Sequence, residues 1–317
     1  TEIMPEVGLA TEVERSALKT MYAARGYGFT EEEAFLVQAR DNMKLVKEFL
    51  TKTREHAATF NDTTLDGKAI EADKAAIEYE ALIEETVTVT AALNTEKETM
   101  NKAAQDYMGA CGEFLQYQVA TLHSEMAEAM GMGIADPAKP AFAATMSAED
   151  KDKKLQDRIR KTVILNEIID LGNNIRIGAW KAIGTRDPAL FTEARATFEK
   201  VNAKLDEIKA VTVQQKNLDQ IERCRAAGQQ YNDAMGRYLE NWLRREEIAK
   251  TRTAVGNRVL AAAEQASKDG MGESSKFTLE ASDALSAASI KTLIGLGVAV
   301  VLGLSMAYFP TRSIAGQ

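Results

Sequence analysis

The sequence predicts an all-α fold: two stacked four-helix bundles that share two long helices, six helices in all, followed by one transmembrane helix. The composition is the first observation, because only 5 of the 317 residues are proline and 6% are aromatic, as is typical of long, closely packed helices. The second is that apolar residues recur at steps of three and four along each long segment. The third is an uncharged apolar segment near the end of the sequence.

The uncharged segment lies between Lys291 and Arg312 and includes the run LIGLGVAVVLGLSMAYF. Roughly 20 apolar residues suffice to cross the hydrocarbon core of a bilayer, so residues 292–309 are predicted to form a transmembrane helix. Tyr308 and Phe309 suit a membrane interface, and Arg312 favours a cytoplasmic location for the residues that follow. A buried core helix is the alternative. It is disfavoured because no other segment is apolar on all sides and could enclose it.

Breaks in the apolar periodicity place the six helices. The first is predicted to end near Gly26, and the second to begin after Thr30, where three glutamates follow. The other boundaries are Lys68 to about Met130 for the third helix, Ala148 to Ile183 for the fourth, Pro188 for the start of the fifth, and Val213 before the sixth. Residues 131–147 form a loop rich in Pro and Gly. The second helix has a heptad seam made of Phe35, Ala39, Asn42, Val46, Phe49, Thr53, His56 and Phe60.

An internal repeat relates the second helix to the fifth. The sequence TEEEAFLVQAR, residues 30–40, aligns with TRDPALFTEAR, residues 185–195, and the same offset aligns Val46 with Val201. The first two helices therefore form a hairpin that resembles helices four and five.

Helix lengths then predict the layout. The second and fourth helices, about 45 and 50 Å long, together match a third helix of about 90 Å. This places a membrane-proximal module at about residues 8–98 plus 248–290 and a membrane-distal module at about residues 99–247. Each module is a four-helix bundle.

Charge and motif content narrow the function. The formal net charge is −8, and no dense basic stretch with interleaved aromatic residues occurs, which argues against a nucleic-acid partner. The sequence also has no Glu-x-x-His pair, Gly-rich phosphate loop or His/Cys ligand cluster. We therefore expect no enzymatic activity, no cofactor and no metal. His56 is predicted to be a core histidine. Cys111 and Cys224 are expected to be buried and unbridged, since the layout separates them by about 10 Å along the bundle.

Two stripes of polar and aromatic residues are candidate ligand sites. On the first helix, Arg15, Lys19, Tyr22 and Arg25 lie beside the core face, and cations next to an aromatic ring suit a carboxylate ligand. A solvated basic face is the alternative. On the fourth helix, the corresponding offset gives a less cationic stripe that includes Asn173, Arg176 and Trp180.

The six-helix pattern and the repeated motifs resemble the helical bimodular sensor domain of bacterial chemoreceptors (methyl-accepting chemotaxis proteins) and of some sensor kinases. The resemblance covers residues 8–290, and Pro310, Arg312 and Ile314 resemble the start of a cytoplasmic HAMP linker. It implies a periplasmic ligand-binding domain, residues 1–291, anchored in the bacterial inner membrane. It also implies a homodimer, small organic-acid ligands, and arginines of the first helix that hold carboxylates near the dimer interface.

The resemblance also sets expectations for the rest of the protein. Residues 310–317 would lead to a cytoplasmic part that drives a downstream kinase or adaptor, and an upstream signal or first transmembrane helix is expected. A sensor histidine kinase with the same type of ectodomain is one alternative. A structural or pore-forming helical rod is another, from a different class, and its apolar segment would pack against the rod in a soluble state.

Overall fold

The structure, a computed structural model, describes residues 3–130 and 146–314, with side chains from residue 5 to residue 304 outside that gap. Within these residues every regular element is a helix, which confirms the all-α fold. The six helices are α1 (Ile3–Thr30), α2 (Glu33–Phe60), α3 (Thr63–Ala129), α4 (Ala148–Thr185), α5 (Pro188–Ala210) and α6 (Gln215–Ile314). The predicted loop at 131–147 lies outside the described residues except for its last two positions.

The chain divides into two compact units, and α3 and α6 each contribute to both. Unit 1 contains residues 1–83 and 250–317, and unit 2 contains residues 84–249. Each unit is therefore built from four helical segments. In unit 1, α1 packs against α2, and in unit 2, α4 packs against α5.

The two turns that join these hairpins confirm the internal repeat. Glu31, between α1 and α2, has a φ of 63°, and Arg186, between α4 and α5, has a φ of 57°. The residue before each turn is a threonine, Thr30 or Thr185, whose hydroxyl donates a hydrogen bond to the carbonyl four residues earlier, at 3.0 and 2.9 Å. The aligned residues also share their burial, since all of the following are in the core: Leu36 and Phe191, Ala39 and Ala194, Met43 and Phe198, Val46 and Val201, Leu50 and Leu205.

The buried seam of α2 differs from the predicted one at every second position. Ala39, Val46 and Thr53 are buried as expected. The prediction was wrong for the other five residues of the seam. Phe35, Asn42, Phe49 and His56 are only half-buried, and Phe60 is exposed. For the four half-buried residues, the next residue takes the place in the core: Leu36, Met43, Leu50 and Ala57. The buried seam thus keeps Ala39, Val46 and Thr53 and is displaced by one residue at the alternate positions, which leaves Phe49 and His56 at its edge.

The last part of α6 carries the apolar segment. From Met271 onward nearly every described side chain is exposed. By length and composition, α6 contains a stretch that can cross a membrane. Its most apolar 18 residues have a mean hydropathy of 2.0, and none of them is buried. The backbone stays helical through Pro310 to Ile314, while the side chains of Tyr308 and Phe309 lie outside the described residues.

Candidate functional site

Two basic residues occupy core positions of α4. The buried positions of this helix recur at steps of three and four, and the first two are charged: Arg158, Lys161, Leu165, Ile168, Gly172, Ile175 and Ala179. Arg158 is 5% exposed and Lys161 is 8% exposed. Charged side chains are almost never buried this deeply unless they are paired, so this end of the seam needs a specific explanation.

The neighbouring helices bring buried polar residues to the same place. Gln118 and Glu125 lie near the end of α3, and Asn217 lies in the first turn of α6; all three are buried. The five residues Gln118, Glu125, Arg158, Lys161 and Asn217 are called the Arg158–Lys161 cluster below. It belongs entirely to unit 2, at the end where α3 stops and where α4 and α6 begin.

Arg158 is held by a dense set of hydrogen bonds. Its Nε donates to Oε2 of Glu125 at 3.2 Å, and its Nη2 donates to Oε1 of the same carboxylate at 3.0 Å. Its Nη1 donates to Oε1 of Gln118 at 2.6 Å. Gln118 in turn donates through Nε2 to Oδ1 of Asn217 at 3.2 Å. The planar guanidinium fork therefore makes a bidentate pair with a carboxylate and links three helices.

Lys161 differs from Arg158 in having no such partner. Among the residues that the structure describes, Lys161 Nζ makes no hydrogen bond or ion pair, and it keeps some contact with solvent. Burial and the neighbouring charge of Arg158 lower the pKa of Lys161, although Asp157 and Glu125 oppose that shift. The cluster thus holds two cations and one carboxylate, and a half-exposed third cation, Lys154, lies 3.8 Å from Glu125. A small anion beside Lys161 would give its ammonium the direct acceptor that neither Asp157 nor Glu125 supplies.

The predicted residues of the first helix lie on an exposed face. Arg15, Lys19, Tyr22 and Arg25 are all exposed, Tyr22 by 72%. The Arg15 guanidinium pairs with Glu12 at 2.5 Å. The ring of Tyr22 makes an edge contact with Phe35, with 6.4 Å between the ring centroids. The structure brings these residues into one row, and their role in binding a ligand stays a prediction.

The predicted residues of the fourth helix are also near the surface, at the far end of α4 from Arg158. Asn173 is half-buried, while Arg176 and Trp180 are exposed. The Lys97 ammonium lies 5.4 Å from the centroid of the Trp180 ring. Burial raises the pKa of Tyr231 to about 12, and the charge of Arg176 opposes that shift. Eighteen residues separate Arg176 from Arg158, or about 27 Å of helix, so these residues are not part of the cluster.

The two cysteines are both buried and free, as predicted. Their predicted separation along the bundle was wrong, because the Cys111 and Cys224 thiols share a hydrogen bond. The layout placed the third and sixth helices in the wrong register, since it relied on helix lengths alone.

A second buried arginine lies in unit 1. Arg252 of α6 is 5% exposed and donates a hydrogen bond to the hydroxyl of Tyr79 on α3. Burial raises the pKa of Tyr79 to about 12, so Tyr79 stays a neutral acceptor. Gly28 of α1 lies beside the same guanidinium, because a Cβ at that position would be 3.4 Å from Nη2.

Neither Arg252 nor the Arg158–Lys161 cluster was predicted from the sequence. The signal for the cluster was present, because extending the apolar seam of α4 toward its start, at the same steps, reaches Lys161 and Arg158. On α3 the same extension from Phe114 reaches Gln118 and Glu125. Within the described residues, no group of three or more His, Cys, Asp or Glu side chains could hold a metal ion.

The comparisons with known proteins concern the fold of the chain and not its buried polar cluster. No protein-family model matches the chain, and no curated protein matches it. Among solved structures, the chain is similar to the TorS sensor domain in a crystal structure of its complex with TorT in the presence of TMAO. The TM-score is 0.52 and the identity 11%, and the match covers 84% of this chain and 99% of that chain. At this identity the likeness concerns the fold alone.

Proposed function

We propose that the chain is the extracytoplasmic sensor module of a bacterial membrane signalling protein, and that it binds a small carboxylate at the Arg158–Lys161 cluster. The similarity of the fold to a sensor domain supports the sensory role. The exposed apolar stretch of α6 supports a membrane anchor. That exposure disfavours the helical-rod alternative, in which the apolar segment packs against the rod. The module has no catalytic role in this proposal.

The observation that carries the proposal is the unpartnered ammonium of Lys161. The side chain of Lys161 is buried while its Nζ keeps only some contact with solvent. Such a partly desolvated ammonium is destabilising, and a carboxylate ligand supplies the hydrogen-bond acceptor that it lacks. Arg158 and Gln118 hold each other in place before the ligand arrives. The site is therefore preorganised, which reduces the entropic cost of binding.

Signal transmission follows from which helices carry the cluster. Gln118 and Glu125 lie on α3, Asn217 lies on α6, and α6 continues to the apolar segment. A ligand that binds one arrangement of these helices more tightly shifts the population toward it. A displacement of α6 by 1–2 Å, of the size seen at other signalling interfaces, is then carried along a continuous helix. A chemoreceptor is the output that the sequence resemblance favours, and a sensor histidine kinase is the alternative.

The exposed row on α1 is a second candidate site for the same class of ligand. Leu18 and Tyr22, exposed by 48% and 72%, add apolar surface to the cations of that row. Such a surface suits a homodimer, in which a ligand bound near the interface would contact Arg15 or Arg25. The proposal for this row rests on the resemblance, whereas the proposal for the cluster rests on burial and charge.

A thermal-shift screen of the whole chain in detergent tests the proposal. Acetate, succinate and citrate are compared with their neutral amides, at equal ionic strength. A ligand of the folded state raises the melting temperature in proportion to the logarithm of its concentration, so at least one carboxylate should do so and its amide should not. The shift should disappear in Lys161→Met and persist in Lys153→Met, an exposed lysine of the same helix. No shift with any carboxylate, or an equal shift in both variants, would contradict the proposed site.

A further inference from the structure

The two cysteines of this chain face each other across α3 and α6. The ring of Tyr107 on α3 packs against Gly228 on α6, where a Cβ would lie 3.3 Å from the ring. Eleven residues further along α3, Gln118 donates to Asn217, which lies eleven residues earlier on α6. These two contacts fix an antiparallel register between the helices.

The same register places the thiols opposite each other. Cys111 lies four residues after Tyr107, and Cys224 lies four residues before Gly228. Both are fully buried, with 0% exposure. Tyr107 is held on its other side as well, because a Cβ at Gly172 of α4 would lie 2.5 Å from its ring. The pair is therefore set in a rigid part of the core of unit 2.

We propose that Cys111 and Cys224 form an intramolecular disulfide in an oxidising environment, a covalent link between α3 and α6 that reduction opens. A disulfide requires two cysteines whose side chains point at each other across a short distance. The register places the two residues opposite each other, and the hydrogen bond between their thiols brings the side chains together. The proposal concerns unit 2 itself and does not depend on the ligand. An extracytoplasmic location would supply the oxidising conditions.

The hydrogen bond between the thiols suits them to this reaction. It raises the pKa of Cys224 above its usual range, and burial raises it further. The same hydrogen bond lowers the pKa of Cys111. In the folded core Cys111 is thus the thiol that ionises more easily, and the thiolate is the nucleophile in thiol–disulfide exchange. In the opened unit either thiol can attack first, and the steps below are written for Cys111.

The oxidant is an external disulfide of the class R–S–S–R, such as oxidised glutathione. The Cys111 thiolate attacks one of its sulfurs, forms a mixed disulfide and releases one R–S⁻. Cys224 loses its proton and attacks Sγ of Cys111, which expels the second R–S⁻. The two cysteine protons end on the two R–SH products, the cysteines lose two electrons, and the external disulfide gains them. Because both thiols are buried, exchange takes place while unit 2 folds or locally opens.

The link would stiffen the helices that carry the candidate ligand site. Cys111 lies seven residues, or about 10 Å of helix, from Gln118. The disulfide closes a loop of about 110 residues, and disulfides that close long loops are expected to stabilise most. For a unit of this size we expect the melting temperature of unit 2 to differ by about 10 °C between the oxidised and reduced forms.

The test equilibrates the whole chain in detergent with glutathione buffers of increasing oxidised fraction, a few degrees below its melting temperature. Free thiols are then alkylated in denaturant, and peptides are mapped by mass spectrometry without reduction. We expect the number of free thiols to fall from two to none, a linked peptide containing Cys111 and Cys224, and a rise in melting temperature that dithiothreitol reverses.

The controls are Cys111→Ser and Cys224→Ser, which cannot form the intramolecular disulfide. Either variant should show one free thiol and a melting temperature that is insensitive to dithiothreitol. Cys111→Ala serves the same purpose if the serine variants do not fold. Two free thiols at every glutathione ratio would overturn the proposal. Cross-links only between separate chains, or mixed disulfides with glutathione as the only product, would overturn it as well.

Discussion

The cores of the two units are built from different side chains. Unit 1 packs its helices on small residues, including Ala10, Ala17, Ala24, Ala39, Ala69, Ala76 and Ala263. Two cavities within it have volumes of only about 20 and 10 Å³, no larger than the space for one water molecule. The core of unit 2 is instead aromatic, with Tyr107, Phe114, Phe191, Phe198, Tyr231 and Trp242.

The two units place the cations of their candidate sites differently, in unit 1 at the surface and in unit 2 inside. Alanines let helices approach closely, and the two cavities described in unit 1 are too small for an organic ligand. The cations of the α1 row lie outside this core. In unit 2 the apolar seams of α3, α4 and α6 all change to polar residues at one end, and the cations there lie inside the core. The same residue types therefore have different consequences, because a buried charge must find a partner and an exposed one is solvated.

The largest effect is expected from removing the partner of Glu125. Arg158→Met leaves a buried carboxylate without its bidentate partner, which should lower the free energy of unfolding by about 3–5 kcal/mol. Arg160→Met, on the same helix, breaks only the exposed pair with Glu207 and should cost less than about 1 kcal/mol. Urea unfolding of both variants measures the difference. Equal losses would mean that Arg158 is solvated rather than buried.

The tight packing of unit 1 predicts the next effect. A Cβ at Gly256 would lie 2.8 Å from the Met21 side chain and 2.9 Å from the ring of Tyr79, so Gly256→Ala should lower the free energy of unfolding by about 1–3 kcal/mol. Gly112→Ala on α3 meets nothing within 4 Å and should raise it by up to about 1 kcal/mol. Thermal unfolding distinguishes the two, and a stabilising Gly256→Ala would show that the core of unit 1 is loose.

A smaller effect is expected from the titration of Lys161. Its pKa in the folded chain is lowered from the usual 10.5, so between the lowered value and 10.5 the unfolded chain binds more protons. The contribution of Lys161 to the free energy of unfolding therefore rises with pH between those two values. Lys161→Met should be more stable than the unaltered chain at pH 7, and the gap should narrow as the pH approaches 10.5. Urea unfolding at several pH values tests this, and a constant gap would rule out a buried, charged Lys161.

The smallest effect on stability is expected from Arg15→Ala, because an exposed side chain is removed and the change should stay within about 0.5 kcal/mol. The two candidate sites differ in what they predict for binding. A site on the α1 row predicts at least tenfold weaker carboxylate binding in this variant, whereas a site in the Arg158–Lys161 cluster predicts unchanged affinity. Calorimetric titration of Arg15→Ala distinguishes them.

The sequence predicted the helices and the repeat well because these depend on local signals. Proline at the start of α5 and the offset between the two hairpin turns are visible without a structure, and Asp187 does cap α5 by accepting from the Ala189 amide at 2.9 Å. The face of α2 was misjudged by one residue, since Phe35 and Leu36 are both apolar and only the packing of the hairpin decides between them.

The candidate site was harder to predict, for a physical reason. Charged residues are usually placed on the surface by sequence patterns, so Arg158 and Lys161 look like part of a polar helix face. The burial of Arg158 depends on Glu125, which lies 33 residues away on another helix. The register of α3 against α6, which pairs Cys111 with Cys224, likewise depends on long-range packing of Tyr107 against Gly228 rather than on helix length.

The central claim is that a carboxylate binds beside Lys161 in unit 2, and isothermal titration calorimetry tests it most directly. The carboxylate with the largest thermal shift is titrated into the unaltered chain, Lys161→Met and Lys153→Met. Loss of a hydrogen bond to a charged group costs about 1.5–3 kcal/mol, so Lys161→Met should bind roughly 10- to 100-fold more weakly and Lys153→Met should bind as the unaltered chain does. Unchanged affinity in a folded Lys161→Met would contradict the account.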